Sequence, residues 1–118
     1  MSETTSTFYP QWSASMSAMK AAAPDVARGF GAMFSAIMKD GALSVRDKEL
    51  IALGISITMR CEPCIFSHVE KCLKAGATRE QVLEAAGVGV VMQGGPAYVY
   101  MPKVVEALDH FQGAPAAR

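Results

Sequence analysis

A chain of 118 residues has the length of one domain, large enough to bury a core and small enough that self-assembly would add to its stability. Eleven Lys and Arg balance eleven Asp and Glu, and the basic residues are scattered, so nothing gathers phosphates and nucleic acid is excluded as a partner. The Ser/Thr-rich start lacks a charged or apolar leader, no apolar run reaches membrane-span length, and three cysteines do not make a secreted disulfide scaffold; the expectation is a cytoplasmic protein with no membrane partner.

Taken in chain order, the sequence predicts helices throughout. Residues 1–8 are polar and without period, and read as a disordered tail. A first helix is expected from Pro10 or Gln11 to about Ala23, with Trp12, Met16 and Met19 on one apolar stripe. Pro24 and Asp25 open a second, whose buried face would be Phe30, Phe34, Ile37 and Met38 and whose stop would be Gly41. Ser44-x-x-Asp47 has the form of a capping box with Asp in place of Glu, and introduces a third helix to about Arg60. Leu50, Ile51, Leu53, Ile55, Ile57 and Met59 surround that helix almost completely, which places it in the core or between subunits. The same run is β-branched enough to compete as a strand, but the cap and the helix-forming Arg46-Asp47-Lys48-Glu49 favour the helix.

A fourth helix is expected from about Cys61 to Gly76, after the basic Lys74. Thr78-x-x-Gln81 caps a fifth, carrying Val82, Leu83, Val88, Val90 and Val91, in which Gly87 and Gly89 signal close backbone packing. Gly94-Gly95-Pro96 breaks it. A sixth runs to about Phe111 with Val99, Val104, Val105 and Leu108 apolar, kinked or delayed by Pro102. Residues 113–118 read as a frayed tail, which leaves 9–112 as the folded domain. The fold class is all-α, a single-domain bundle of several helices.

The chemistry gathers in Cys61-Glu62-Pro63-Cys64-Ile65-Phe66-Ser67-His68. Proline at the opening turn fits the start of a helix, and unpaired N–H groups there favour a thiolate at Cys61. Positions three apart on a helix have Cα atoms about 5 Å apart, so Cys61 and Cys64 can form a disulfide without backbone movement. His68 lies one turn beyond Cys64 on nearly the same face, where an imidazole could activate the thiol. A zinc site competes for the same residues. Cys61, Cys64, His68 and Cys72 on one straight helix span about 16 Å and cannot close a tetrahedron without help from other segments, so no metal and no cofactor is expected.

Glu49 shares its helix face with the apolar Leu53 and Ile57, where a carboxylate needs a partner. His68 would serve, with the carboxylate fixing its tautomer. A solvated glutamate near a helix start explains Glu49 equally well. Cys72 reads as a small buried hydrophobe, and His110 as a cation complementing a helix C-terminus.

Glu49, the Cys61-x-x-Cys64-x-x-x-His68 motif, Gly76-Ala77-Thr78 and the apolar fifth helix together resemble the alkylhydroperoxidase D-like branch of the carboxymuconolactone decarboxylase superfamily, over roughly residues 44 to 112. The resemblance implies an all-helical fold assembling as a homotrimer or homohexamer, with the redox helix near a subunit interface. It also implies roles. A glutamate–histidine relay of Glu49 and His68 activates Cys64, which attacks a hydroperoxide; Cys61 resolves the sulfenic acid, and a dithiol reductant restores the pair. Alkylhydroperoxidase D itself has a second histidine between the cysteines, where this chain has Pro63. The lactone decarboxylases of the superfamily lack the cysteine pair. The function expected is therefore a thiol-dependent hydroperoxide reductase, with a disulfide reductase or a non-catalytic redox sensor as the alternative.

Overall fold

Side-chain caps fix where the central helices begin. The structure, a computed structural model of the chain, describes residues 5–113, with side chains from Pro10 onward. Ser44 Oγ accepts the Asp47 N–H at 3.0 Å and opens α3 (Val45–Met59). Thr78 and Gln81 form a reciprocal box, Gln81 N to Thr78 Oγ1 at 3.1 Å and Thr78 N to Gln81 Oε1 at 2.9 Å, and open α5 (Arg79–Gln93). Each satisfies backbone donors that a helix start otherwise leaves bare, an effect of about 1 kcal/mol. Between them lies α4 (Glu62–Lys74), with Cys61 at its N-cap. The remaining helices are α1 (Thr5–Ala22), α2 (Pro24–Ile37), the single turn α6 (Gly95–Tyr98) and α7 (Met101–Gln112). Among the described residues there is no strand, so the helical reading of residues 50–59 holds.

Leu53 and Ile57 of α3, Ile65, Phe66 and Val69 of α4, Val82 of α5, and Val104 and Leu108 of α7 are fully buried and form one core. Burial of each such side chain is worth about 1.5–3 kcal/mol. The approach of α3 to α5 depends on glycine: a Cβ on Gly89 would lie 2.4 Å from Ile57 Cγ2 and 2.6 Å from the Gly54 carbonyl oxygen. Close packing was expected at both Gly87 and Gly89. It holds for Gly89, whereas a Cβ on Gly87 would meet nothing within 4 Å. Arg79 and Asp109, 2.9 Å apart and half-buried, tie the start of α5 to α7.

Several expectations are corrected. The first helix begins at Thr5, with Pro10 inside it, so residues 5–8 are helical; residues 1–4 of the expected tail lie outside the described residues. An interior proline removes one backbone hydrogen bond, which this helix absorbs without ending. The second helix stops at Ile37, before Gly41, and the Lys48 ammonium caps it by donating to the carbonyls of Ile37 at 2.8 Å and Lys39 at 2.7 Å. Its expected buried face is not buried: α2 contains no buried residue, Phe30 and Ile37 are exposed, and only Phe34 and Met38 are half-covered. Nor is α3 enclosed all round, because Ile51, Ile55 and Met59 face solvent opposite Leu53 and Ile57. Val88, Val91 and Val99, apolar members of the fifth and sixth expected helices, are exposed as well. Pro102 delays the last helix: α6 ends at Tyr98 and α7 starts at Met101, with Pro102 in its first turn where its missing N–H is harmless. Of the C-terminal tail only Gly113 is described, at positive φ behind α7. No helix among the described residues is long and apolar enough to cross a membrane.

Candidate active site

The site is built where α3 crosses α4. Arg60, at φ 52°, ends α3 in the left-handed region and turns the chain directly into Cys61. Cys61 occupies the N-cap of α4, with Pro63 in the first turn. Its sulfur accepts the Cys64 N–H at 3.3 Å, in the place usually held by a Ser or Asp oxygen. Cys61 and Cys64 are joined as a disulfide, with Cα atoms 5.2 Å apart, the separation that one helical turn implies. Both are half-buried, so the bond is held by the fold yet open to reagents.

His68 follows Cys64 by one turn of α4, which puts their Cβ atoms about 6 Å apart on one face. From α3, Glu49 reaches across the crossing, and the His68 Nδ1–H donates to Glu49 Oε1 at 2.6 Å. Glu49 is 3% exposed, which rules out the solvated glutamate. Two residues 19 positions apart in the chain thus become one dyad. With Nδ1 engaged by the carboxylate, the other imidazole nitrogen carries the lone pair and can act as a base. All four residues singled out in the sequence, Glu49, Cys61, Cys64 and His68, therefore lie on or at the start of two touching helices, and of the two readings left open for Glu49 the structure shows the one paired with His68.

Cys72, one further turn along α4, is a free thiol with no exposed surface. Burial, and secondarily the charge of Glu49, push its pKa from 9.0 up to about 12, so it stays protonated at neutral pH and is a poor nucleophile. Among the described residues no group of three or more His, Cys, Asp or Glu is arranged to hold a metal ion. His110 lies at the end of α7 with its ring edge-on to Phe111, centroids 4.9 Å apart.

One residue escaped sequence reasoning as part of the site. Phe34 of α2 stacks on His68, ring centroids 6.4 Å apart and planes 23° from parallel, and the Lys71 ammonium sits 4.4 Å above the Phe34 ring. Periodicity marked Phe34 as apolar and inward-facing. No signal in the sequence identifies the imidazole as the surface it meets.

A family model described as "Carboxymuconolactone decarboxylase family" matches residues 24–107, a span that includes every residue of the site. A carboxymuconolactone decarboxylase family protein from Legionella pneumophila has the same fold, with a TM-score of 0.84, 34% sequence identity, and coverage of 90% of this chain and 95% of that one. A family protein from Thermotoga maritima, for which an antioxidative role has been suggested, superposes with a TM-score of 0.68 and 30% identity over 73% of this chain and 89% of its own. Among curated sequences, "Uncharacterized protein 4 in cox locus" from Paracoccus denitrificans is 35% identical over 89% of this chain and 95% of its own length. The alkyl hydroperoxide reductase AhpD from Corynebacterium kroppenstedtii is 36% identical over 54% of this chain, but over only 36% of that enzyme.

Proposed function

We propose that this chain, which belongs to the carboxymuconolactone decarboxylase family, is a thiol-dependent hydroperoxide reductase of the alkylhydroperoxidase D type. The observation that carries the reading is the buried Glu49–His68 hydrogen bond beside a cysteine pair that closes within one helical turn. A carboxylate so deeply buried is costly unless it is paired, and its partner here is an imidazole one turn from a sulfur of the cysteine pair.

The proposed cycle starts from the dithiol. His68 takes the proton of the Cys64 thiol, and the thiolate attacks the outer oxygen of the hydroperoxide ROOH. The O–O bond breaks, Cys64 becomes a sulfenic acid, and the alcohol ROH leaves with a proton returned by His68. The Cys61 thiol then displaces hydroxide from the Cys64 sulfur, forming the disulfide and water. A dithiol reductant restores both thiols by exchange and leaves as its own disulfide. Glu49 holds the imidazole and balances its transient charge. No cofactor or metal enters these steps, and a reducing, cytoplasmic setting supplies the dithiol.

Dithiol-dependent consumption of an organic hydroperoxide by Cys64→Ser is expected to fall at least about 100-fold with helicity unchanged, since the nucleophile is gone. Activity equal to the parent would reject the reading. One observation favours a second reading, disulfide reduction. The Cys64 N–H points at the Cys61 sulfur, and the start of α4 stabilises negative charge there, which suits Cys61 as an attacking thiolate. The order of alkylation in the reduced protein separates the two: Cys64 first supports peroxidase chemistry, Cys61 first the reductase.

A further inference from the structure

One hydrogen bond does not fix an imidazole. The Glu49 carboxylate holds His68 by its Nδ1 edge at 2.6 Å, and the ring can still swing about its last side-chain torsion, which is broad for a flat ring. Such a swing carries the other nitrogen, Nε2, away from any fixed target. A second restraint comes from a helix outside the α3–α4 crossing. Phe34 of α2 lies on the His68 ring, centroids 6.4 Å apart and planes 23° from parallel, within the offset-stacked range of about 4.5–7 Å.

From this geometry we propose that Phe34 is a positioning residue of the site: its ring blocks out-of-plane rotation of the His68 imidazole. Glu49 fixes the edge and Phe34 the face, and together they set where Nε2 presents its lone pair. Phe34 is itself held in place. Phe30, one turn earlier on α2, packs against it with centroids 6.0 Å apart, and the Lys71 ammonium stands 4.4 Å from its ring centroid. The end of α2 is tied down as well, through the Lys48 ammonium on the carbonyls of Ile37 and Lys39. Lys48 adjoins Glu49 on α3, and Lys71 follows His68 by three residues on α4, so α2 is fastened to both helices that carry the dyad. Phe34 is half-covered on a helix with no buried residue, so its contact with His68 is not the by-product of a core on α2.

Aim matters because a base takes a thiol proton only at hydrogen-bond reach, and misplacing a catalytic group by about 1 Å can cost about 100-fold. Losing one of two restraints leaves part of the imidazole population correctly aimed, so truncating Phe34 is expected to cost about 10-fold. The phenyl ring offers no group that transfers a proton, so it acts through His68. The inference rests on the proposed function in one respect, that His68 is the base for Cys64.

Two measurements on the full-length chain test it, with circular dichroism confirming that each variant is helical and Phe34→Met standing in should Phe34→Leu disturb folding. The first is proton NMR of the disulfide form. The Phe34 ring current should shield the carbon-bound ring protons of His68, and Phe34→Leu should move them downfield; the chain has two histidines, so His110→Gln assigns the signals. Unmoved signals overturn the proposal. The second is the rate at which iodoacetamide alkylates Cys64 at neutral pH, followed by peptide mass spectrometry with Cys61→Ser in every protein; this rate reports how far Cys64 has given up its proton. Phe34→Leu should slow it about 10-fold, and Phe34→Tyr, which keeps the ring, should restore the parent rate. His68→Gln, whose amide can still donate to Glu49, should be slow too, and adding Phe34→Leu to it should change nothing further. A fast Phe34→Leu beside a slow His68→Gln overturns this proposal and leaves the proposed function standing, whereas a fast His68→Gln overturns both. A slow Phe34→Tyr, or a further loss when Phe34→Leu is added to His68→Gln, would mean that the ring does not act through the imidazole, and overturns the proposal as well.

Discussion

The two faces of α3 invert the usual arrangement of a soluble helix. Its buried face carries a carboxylate, Glu49, beside Leu53 and Ile57, while its exposed face carries Ile51, Ile55 and Met59. Polar groups in the core and large apolar groups in solvent each cost free energy, so each calls for an account of what offsets it. On the inner face the cost is offset by the His68 hydrogen bond, one turn from Cys64. On the outer face none of the described residues covers Ile51, Ile55 or Met59, which stay exposed. The difference teaches that the polar group of the inner face has its partner within the chain, while the apolar groups of the outer face stand in solvent.

The comparison can be broken by substitution. The largest effect is expected at the dyad: His68→Ala should lower peroxide turnover by about 100- to 10,000-fold, the usual span for losing a general base. It should also destabilise the protein by about 3 kcal/mol, because Glu49 is left buried and unpaired. Chemical denaturation of His68→Leu combined with Glu49→Leu sharpens the point. The double variant should regain most of that stability while staying inactive, whereas a double variant as unstable as His68→Ala would mean that the pair serves the fold.

A smaller loss is expected where the two faces meet at the α3–α5 crossing. Gly89→Ala places a methyl against Ile57 and the Gly54 carbonyl and should cost about 1–3 kcal/mol by denaturant titration. On the outer face, Ile55→Glu should change the stability of the isolated copy by less than about 0.5 kcal/mol, because the site is already wet. A large loss there would show that the face is packed within one chain.

The smallest effect concerns Cys72, behind the dyad. Its folded-state pKa near 12 lies above the ordinary 9.0, so the folded protein holds this proton more tightly than the unfolded chain does. That contribution is intact below pH 9 and is lost as pH rises from there through about 12. The stability difference between the parent and Cys72→Ala should therefore be flat up to pH 9 and shift against the parent above it. A difference unchanged through that range would mean that the thiol is not protected.

Much of the inner face was legible in the sequence. Ser44 and Thr78 announce helix starts through chemistry confined to four residues, and Cys61, Cys64 and His68 lie within two helical turns, so their spacing is their geometry. Glu49 was legible only in part: a charge on the apolar side of a helical wheel demands a partner, but a solvated glutamate near a helix start fitted the sequence equally well. The outer face was not. Periodicity says that α2 and α3 have apolar surfaces but not what covers them, so Phe30, Ile37 and Ile51 were placed in a core they do not join. Phe34 on His68 depends on how α2 returns over α4, a tertiary fact with no local signature. Pro10 misled in the opposite direction, since proline more often begins a helix than interrupts one.

The most direct measurement traps the first oxidised state. Reduced Cys61→Ser, treated with one equivalent of an organic hydroperoxide in the presence of a sulfenic-acid probe, should give a single adduct at Cys64 by peptide mass spectrometry. The same chain carrying His68→Ala should give almost none. An adduct at Cys72, or equal labelling with and without His68, would contradict a Cys64 nucleophile activated by the Glu49–His68 pair.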